Sequence, residues 1–255
     1  MTLALTVARK EVRDHLRDGR SLVSAVIMSL LGPLVVAVVS MSDRAGPQSH
    51  GVVLGMLSVF ALVSSFVGAI DIAMDATAGE RERRSLLPLL LNPVPVSQVI
   101  VGKWIAVTLF ALAALGVNAL GLLAVLEWTA PALLATRSVP ITLWIGLGLV
   151  PLACLGSAAS LLVAVTCRTT KEAHSALRFL TFVPMLIGMF LVFFPGASGS
   201  LWFLPVIGQQ ALIGLETPAV SVGRVIVLAL VTLASAVPAL YGAAGVMRRY
   251  GMRSA

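Results

Sequence analysis

Long apolar stretches without charge, separated by short charged segments, form the pattern of this chain. A helix needs about 20 apolar residues to cross the hydrocarbon core of a bilayer, and these stretches reach or approach that length. Six spans, numbered one to six along the chain, are predicted at residues 21–40, 52–70, 104–126, 139–167, 179–194 and 225–246. The sequence therefore predicts an all-α integral membrane fold with six transmembrane helices in a single domain that covers residues 1–255.

Two of the stretches are longer than one simple crossing requires. The fourth is long enough to tilt or to bend at Pro151. Residues 179–215 are uncharged, and turn residues at 195–200 divide them. We expect the second part, 201–215, to form a re-entrant or interfacial helix pair on the outer face between spans five and six, with Gln209 and Gln210 in outer water.

The first 20 residues combine both signs of charge with a periodic apolar face. Leu3, Val7, Val12 and Leu16 recur at roughly helical spacing, opposite the charged positions. This pattern is typical of an amphipathic helix that lies along a membrane surface. Because the charged segment is long and the stretch after it has membrane length, we expect a retained first span rather than a cleaved signal.

Composition and charge distribution agree with a membrane protein. Only 11% of the residues are charged, whereas soluble domains carry about 25%. With six spans and an inner N-terminus, all 18 lysines and arginines except Arg44, Arg137 and Arg224 fall on the inner side. The positive-inside rule therefore predicts a multi-pass protein of the cell inner (plasma) membrane with both termini in the cytoplasm. The net charge of +7 reflects that rule and does not indicate nucleic-acid binding.

The motifs do not indicate an enzyme. The phosphate-binding pattern G-x-x-x-x-G-K-[ST] does not occur, so any ATP would be bound by another chain. Residues 196–199 are similar to a serine protease motif, but all three histidines precede them, which favours a turn. The scattered histidines and the two cysteines predict neither a metal site nor a disulfide. We expect no catalytic residues and no cofactor bound by this chain.

A dense charged segment connects the second and third spans. Residues 79–84, which we call the charged island, read Gly-Glu-Arg-Glu-Arg-Arg. Because glycine accepts the left-handed conformation that closes helices, Gly79 is expected to end span two. Such a cluster must lie in water or against another protein, and the leucines that follow it are typical of a contact surface. This arrangement favours a lever moved by a partner over a plain solvated loop.

The island resembles the segment between spans two and three of ABC-2 type exporter permeases, and the nearest branch is the sodium-efflux (Nat-type) permeases. The matching pattern is Asp75-x-x-x-Gly79-Glu80-Arg81-Glu82-Arg83-x-Ser85-Leu86-x-x-Leu89-Leu90-x-x-Pro93-Val94, followed by Gly102-Lys103. Residues 8–14 are similar to the amphipathic elbow helix of that family, and residues 204–210 to its outer re-entrant region.

This resemblance implies the transmembrane subunit of an ATP-driven exporter. It implies a homodimer or pseudo-dimer of six-span subunits with two cytoplasmic ATPase subunits, which bind the ATP and Mg. Closure of the ATPases would push on the island and tilt spans two and three. The implied ATPase-coupling residues are Gly79, Glu80, Arg81, Glu82, Arg83, Ser85, Leu86, Leu89 and Leu90, and the implied elbow-helix contacts are Arg9, Lys10 and Glu11.

Polar residues inside the spans are candidates for a substrate path. Asp71 and Asp75 share one helix face and form either a cation entry pair or, the favoured interpretation, bridges to Arg81 or Lys103. Asn118 either lines the path or bonds a neighbouring helix. The cargo stays open among sodium, a lipid-like drug and an antimicrobial peptide. The alternative function is a non-transporting membrane scaffold or an immunity protein.

Overall fold

The computed structural model describes residues 3–42, 49–85, 94–129, 145–194, 199, 201–213 and 221–254. Within these ranges the chain is helical and has no β-strand, which confirms the predicted all-α fold. Six helices in this part of the chain are long and apolar enough to cross a membrane, and we number them as spans one to six. They are Leu22–Met41, Gly55–Glu82, Val96–Thr129, Gly146–Thr166, Thr170–Phe193 and Val222–Tyr250.

The secondary structure extends somewhat beyond the apolar windows. An N-terminal helix, Leu3–Leu16, precedes span one, and a short helix, Ile207–Ile213, precedes span six. Span two begins within the helix Ser49–Val67 and continues through the helix Ile70–Met74, a π-helical turn Asp75–Gly79 and a last turn Glu80–Glu82. The other spans lie in the helices Gly19–Ser42, Val96–Thr129, Val150–Thr166 (after a π-helical turn Ile145–Leu149), Thr170–Phe193 and Val222–Ser254.

Span two ends later than the apolar pattern predicts. Gly79 does not close the helix: its φ of −63° is right-handed, and the helix continues to Glu82. The helix ends instead before Arg84, whose φ of +57° is left-handed. The expectation that Gly79 ends the span was therefore wrong, because the charged residues after it find partners that let the helix continue.

Span five also begins earlier than its uncharged stretch, at Thr170, nine residues before residue 179 and farther than the few additional residues that a full crossing needs. The Thr169 hydroxyl accepts a hydrogen bond from the Glu172 N–H, which caps the first turn. Charged residues in the first turns are therefore part of the helix. Apolarity alone marks the middle of this span and misses its capped start.

Spans two, three and four form the centre of the bundle. Leu62, Val107, Leu152 and Leu161, which belong to these spans, are all fully buried in one apolar cluster. Span six packs along span four, whereas spans one and five expose many large apolar side chains. Such exposed apolar sides are expected for helices that meet lipid chains.

The N-terminal helix packs against span three with only part of the predicted apolar face, from which Val7 lies close to Gly102. Leu3 and Leu16, from the predicted apolar face, are exposed. A Cβ at Gly102 of span three would lie 2.6 Å from the Ala4 carbonyl oxygen, so only glycine permits this close approach. The buried residues of the N-terminal helix are Ala4, Ala8, Glu11 and His15.

Candidate functional site

The charged island lies at the end of span two, at one end of the bundle that we call the charged end. A π-helical turn directly precedes it. Such turns widen a helix by one residue and are frequent at functional sites. The side chains of residues 80, 81, 82 and 83 each contact a different part of the chain.

A buried lysine holds the island against span three and the N-terminal helix. The Lys103 side chain is 0% exposed, and its Nζ lies 2.7 Å from Glu80 Oε2 and 3.0 Å from Glu11 Oε1. Removing one partner from a buried ion pair costs about 3–5 kcal/mol, because it leaves an uncompensated charge. These three side chains therefore hold the N-terminal helix, the island and span three together.

Glu80 and Glu11 are buried as well. The expectation that the island charges lie in water or against another protein is therefore wrong for Glu80, whereas Glu82, Arg83 and Arg84 are exposed. Lys10 completes the group from the rim: its Nζ lies 3.4 Å from Glu80 Oε1, and its side chain is 59% exposed. Partial burial lowers the pKa of Lys10, but the carboxylates of Glu11 and Glu80 raise it more, so the net pKa is above the ordinary value. Two lysines thus balance two glutamates.

Arg81 connects the island to spans four and six. Its guanidinium donates a hydrogen bond of 2.9 Å to the Cys167 carbonyl oxygen, just after the end of span four. The same group lies over the Tyr250 ring at 4.0 Å from the centroid, a distance typical of a cation–π contact. A guanidinium can make both contacts because it is planar and carries five donors.

Glu82 connects the island to the start of span five. Its Oε2 accepts a hydrogen bond of 3.0 Å from the Thr170 N–H and one of 2.8 Å from the Thr170 hydroxyl. The first N–H groups of a helix lack partners inside the helix, and the helix dipole favours a negative charge beside them. Glu82, which lies 88 positions before Thr170 in the chain, supplies both the hydrogen-bond acceptor and the negative charge.

Arg83 folds back onto the π-helical turn. Its guanidinium lies 2.7 Å from Asp75 Oδ1, and His15 Nε2 lies 4.0 Å from the other oxygen of Asp75. A Cβ at Gly79 would lie 2.7 Å from Asp75 Oδ1, so this glycine leaves room for the carboxylate to reach Arg83. Asp75 therefore pairs with Arg83, whereas the favoured sequence interpretation paired it with Arg81 or Lys103.

The remaining predicted coupling residues occupy less constrained positions. Arg9 is exposed on the N-terminal helix. The N–H and the hydroxyl of Ser85 both donate to the Glu80 carbonyl oxygen, at 2.9 and 3.2 Å, and this closes the turn after the island. Leu86, Leu89 and Leu90 lie outside the described residues.

The predicted path residues are not brought together. Asp71 lines a cavity between spans one, two, three and five. Asn118 is buried and donates a hydrogen bond of 2.8 Å to the Ser29 carbonyl oxygen, so it bonds the neighbouring span one. Of the three candidates, only Asp71 lines this cavity.

Sequence reasoning gave no site role to Thr170 or Tyr250, and it named Lys103 only in the resembling pattern and as a possible partner of Asp71 and Asp75. A signal for Lys103 was available: it is a lone cation at the start of an apolar stretch, next to a glycine. Gly102 admits the N-terminal helix, and Lys103 then reaches Glu11 on that helix. Thr170 and Tyr250 carry no such signal, because only the folded chain places them beside the island.

The short helix at the other end of span two corrects a further expectation. Gln209 and Gln210 are buried, not in outer water. Gln209 Nε2 donates to the Thr232 hydroxyl of span six at 2.9 Å, and Gln210 Nε2 donates to the Ser58 hydroxyl of span two at 2.7 Å. The two amides therefore fasten the short helix to two different spans.

Comparisons with known proteins agree with this arrangement. Residues 5–212 match the family described as ABC-2 family transporter protein. The chain is 30% identical over 197 residues to the ABC transporter permease protein NatB of Bacillus subtilis (strain 168). That alignment covers 70% of this chain and 49% of the relative, so the chain spans about half the length of the relative it matches.

These matches confirm the predicted resemblance, and the similarity to NatB is consistent with the Nat-type branch. Six candidate spans together with this family imply a multi-pass membrane protein. Permeases of the family work with a separate ATPase. The chain therefore belongs to the ABC-2 family of transporter permeases.

Proposed function

We propose that this chain is the transmembrane subunit of an ATP-driven exporter of a cation or a small hydrophobic substrate. A separate cytoplasmic ATPase subunit binds ATP and Mg and drives the transport cycle. Its nucleotide must bind one conformation of the complex better than the other, because otherwise hydrolysis shifts no equilibrium. Family membership supports the permease role.

One observation carries the coupling mechanism: the island contacts the N-terminal helix and the ends of spans three to six. Glu80 reaches span three through Lys103, Arg81 reaches the ends of spans four and six, and Glu82 reaches the start of span five. A displacement of the island by a partner is then transmitted to all of these elements. In this proposal the island is a junction, not a lever that moves spans two and three alone.

The contacts divide the coupling residues into two groups. Arg9, Lys10, Glu82, Arg83 and Arg84 present exposed side chains. We assign to these residues the contact with the ATPase. The buried carboxylates of residues 11 and 80 face Lys103 and transmit the movement within the permease.

The assembly that we propose contains two permease subunits, as a homodimer, and two ATPase subunits. Six spans place both termini on one side of the membrane, and most of the basic residues of the chain then lie on that side. By the positive-inside rule, that side is the cytoplasm. The charged end therefore faces the ATPase.

The decisive experiment reconstitutes the permease with its ATPase and measures ATPase stimulation and transport. Glu82→Gln keeps the side-chain shape but weakens the bonds to Thr170, because a neutral amide oxygen is a poorer acceptor than a carboxylate. We expect stimulation to fall by about fivefold or more, the lower range of measured allosteric coupling. Membrane insertion should persist because Glu82 is exposed, and complex formation should persist because the other exposed residues of the ATPase contact are unchanged.

Glu172→Gln is the matched control for this variant. Glu172 is also an exposed carboxylate at the start of span five, but it accepts a hydrogen bond from the Arg168 N–H within its own segment. We expect normal stimulation. Normal stimulation by Glu82→Gln, or transport by the purified permease without any ATPase, would refute the proposal. A complex that forms but never stimulates hydrolysis would favour the membrane scaffold.

A further inference from the structure

A cavity of about 350 Å³ lies between spans one, two, three and five, beside the last turn of the N-terminal helix. We call it the side cavity. Its volume falls within the range of small-molecule sites, about 300–1,000 Å³. The wall includes the polar side chains of Asp71, His174 and Arg178 together with apolar side chains such as those of Met28 and Val117.

The two charges in the wall have opposite signs, and each comes from a different span. Neither Asp71 nor Arg178 has a side-chain hydrogen bond or an ion pair to any residue in the described part of the chain. The nearby acidic residues Glu80 and Asp75, by contrast, pair with cations at 2.7 Å. Asp71 is half-buried and Arg178 is exposed, so both charges are open to a ligand in the cavity, and an ionisable side chain in a membrane span is a functional candidate by default.

The wall chemistry discriminates between classes of ligand. A bare monovalent cation would be attracted by Asp71 but repelled by Arg178 in the same cavity. A purely apolar molecule would desolvate both charges without pairing either of them. A molecule with an ammonium group, a phosphate or carboxylate group and one apolar chain would satisfy all parts of the wall.

We propose that the side cavity binds a zwitterionic single-chain amphiphile. The Asp71 carboxylate receives the ammonium group, and the Arg178 guanidinium receives the anionic group through its fork of donors. His174 adds a third polar contact, and the apolar wall takes the start of the chain. That this ligand is the exported cargo rests on the proposed function, whereas the binding site itself does not.

The test measures binding to the full-length permease in nanodiscs of phosphatidylglycerol, without ATPase or ATP. The probe is a fluorescent lysophosphatidylcholine, and an uncharged monoacylglycerol with the same chain and dye is the comparison ligand. We expect Asp71→Asn and Arg178→Gln each to weaken binding of the zwitterionic probe by about tenfold or more, because each variant removes one charged contact with the probe. Binding of the uncharged probe should not change.

Arg248→Gln is the control, because Arg248 is an exposed cation of span six that does not line the cavity. It should bind the zwitterionic probe like the original chain. A cavity-filling variant, Ala25→Leu, keeps both charges and should block both probes, so the site can be tested even if a charge variant folds poorly.

Three results would overturn the proposal. The first is equal affinity for the zwitterionic and the uncharged probe, and the second is unchanged affinity in both charge variants. The third is restored affinity for the zwitterionic probe in the double variant Asp71→Asn with Arg178→Gln, which would mean that the two side chains pair with each other and not with the ligand. If the probe binds as expected but ATP drives no transport in the complex with the ATPase, the exporter proposal fails and the binding site stands.

Discussion

Two short segments are fastened to long helices at opposite ends of span two, and they are fastened by different chemistry. At the charged end, Glu80 of the island is held by Lys103 and Lys10. At the other end, which we call the amide end, Gln209 and Gln210 hold the short helix to spans six and two through neutral hydrogen bonds. Both sets of side chains except Lys10 are buried.

The difference shows what each end can tolerate when it moves. A buried ion pair that loses one partner leaves a charge in a medium of low dielectric constant. An amide carries both donors and an acceptor, so it can exchange one partner for another at lower cost. We therefore expect the charged end to move as a unit and the amide end to be the place where contacts break and re-form.

The largest effect should come from Lys103→Met. This substitution removes the cation between two buried carboxylates, and we expect a loss of stability of about 3–5 kcal/mol. Thermal unfolding of the purified permease in detergent would measure it. Removing the charges together, with Glu11→Gln and Glu80→Gln in the same chain, should recover most of the loss.

The stability regained by the triple variant tests whether the loss in Lys103→Met is due to charge. If the triple variant is as unstable as Lys103→Met alone, the loss comes from packing of the lysine stem and not from the stranded carboxylates. The description of the charged end as an electrostatic unit would then be wrong.

A smaller effect is expected at the amide end from Gln209→Leu. Gln209 Oε1 accepts a hydrogen bond of 2.6 Å from the Val206 N–H, which would lose its buried acceptor. An unsatisfied buried group costs about 1–3 kcal/mol. Gln98→Leu, at an exposed glutamine near the start of span three, is the control and should change the unfolding temperature little. A loss larger than that of Lys103→Met would reverse the comparison between the two ends.

The sequence predicted the repeated elements of the fold and missed the contacts between them. Six spans follow from apolar length, because crossing a bilayer demands it. Their ends were less predictable. Span two continues through Glu82 and span five begins at Thr170, since Glu82 and Thr170 bond each other across the bundle.

The candidate site shows the same limit. The island is visible in the sequence as a charge cluster, but the burial of Glu80 is not, because the partners of Glu80 lie on two other elements. Glutamine is usually exposed, so the sequence alone favours water for Gln209 and Gln210. Their partners Thr232 and Ser58 lie 23 and 152 positions away, and single-sequence patterns carry no sign of such pairing.

A third prediction tests the close approach that positions the charged end. Gly102→Ala adds a Cβ that would lie 2.7 Å from Val7 Cβ, so the N-terminal helix must shift away from span three. Overpacking costs about 1–3 kcal/mol, and the better helix propensity of alanine returns up to about 1 kcal/mol. We expect a net loss of about 1–2 kcal/mol by thermal unfolding.

Gly116→Ala is the matched control on the same helix. A Cβ at Gly116 would meet nothing within 4 Å, so this variant should be neutral or slightly stabilised. If the two alanine variants have the same thermal stability, the position of the N-terminal helix against span three does not depend on Gly102.

The smallest effect should come from Lys10→Gln at the rim of the charged end. Because the Lys10 side chain is 59% exposed, its ion pair with Glu80 is screened, and we expect a loss below about 1 kcal/mol. The pKa of Lys10 is raised above its ordinary value of 10.5, so its contribution is fully present below that pH and is lost only as the pH rises through the raised value. Between about pH 6 and about pH 9 the difference in stability from the original chain should therefore stay constant.

Raising the salt concentration from about 0.1 M to about 1 M should shrink the loss caused by Lys10→Gln, while the loss caused by Lys103→Met persists because burial limits screening. Equal salt sensitivity of the two variants would mean that Lys103 is reached by water, and the contrast between a buried core and an exposed rim at the charged end would have to be abandoned.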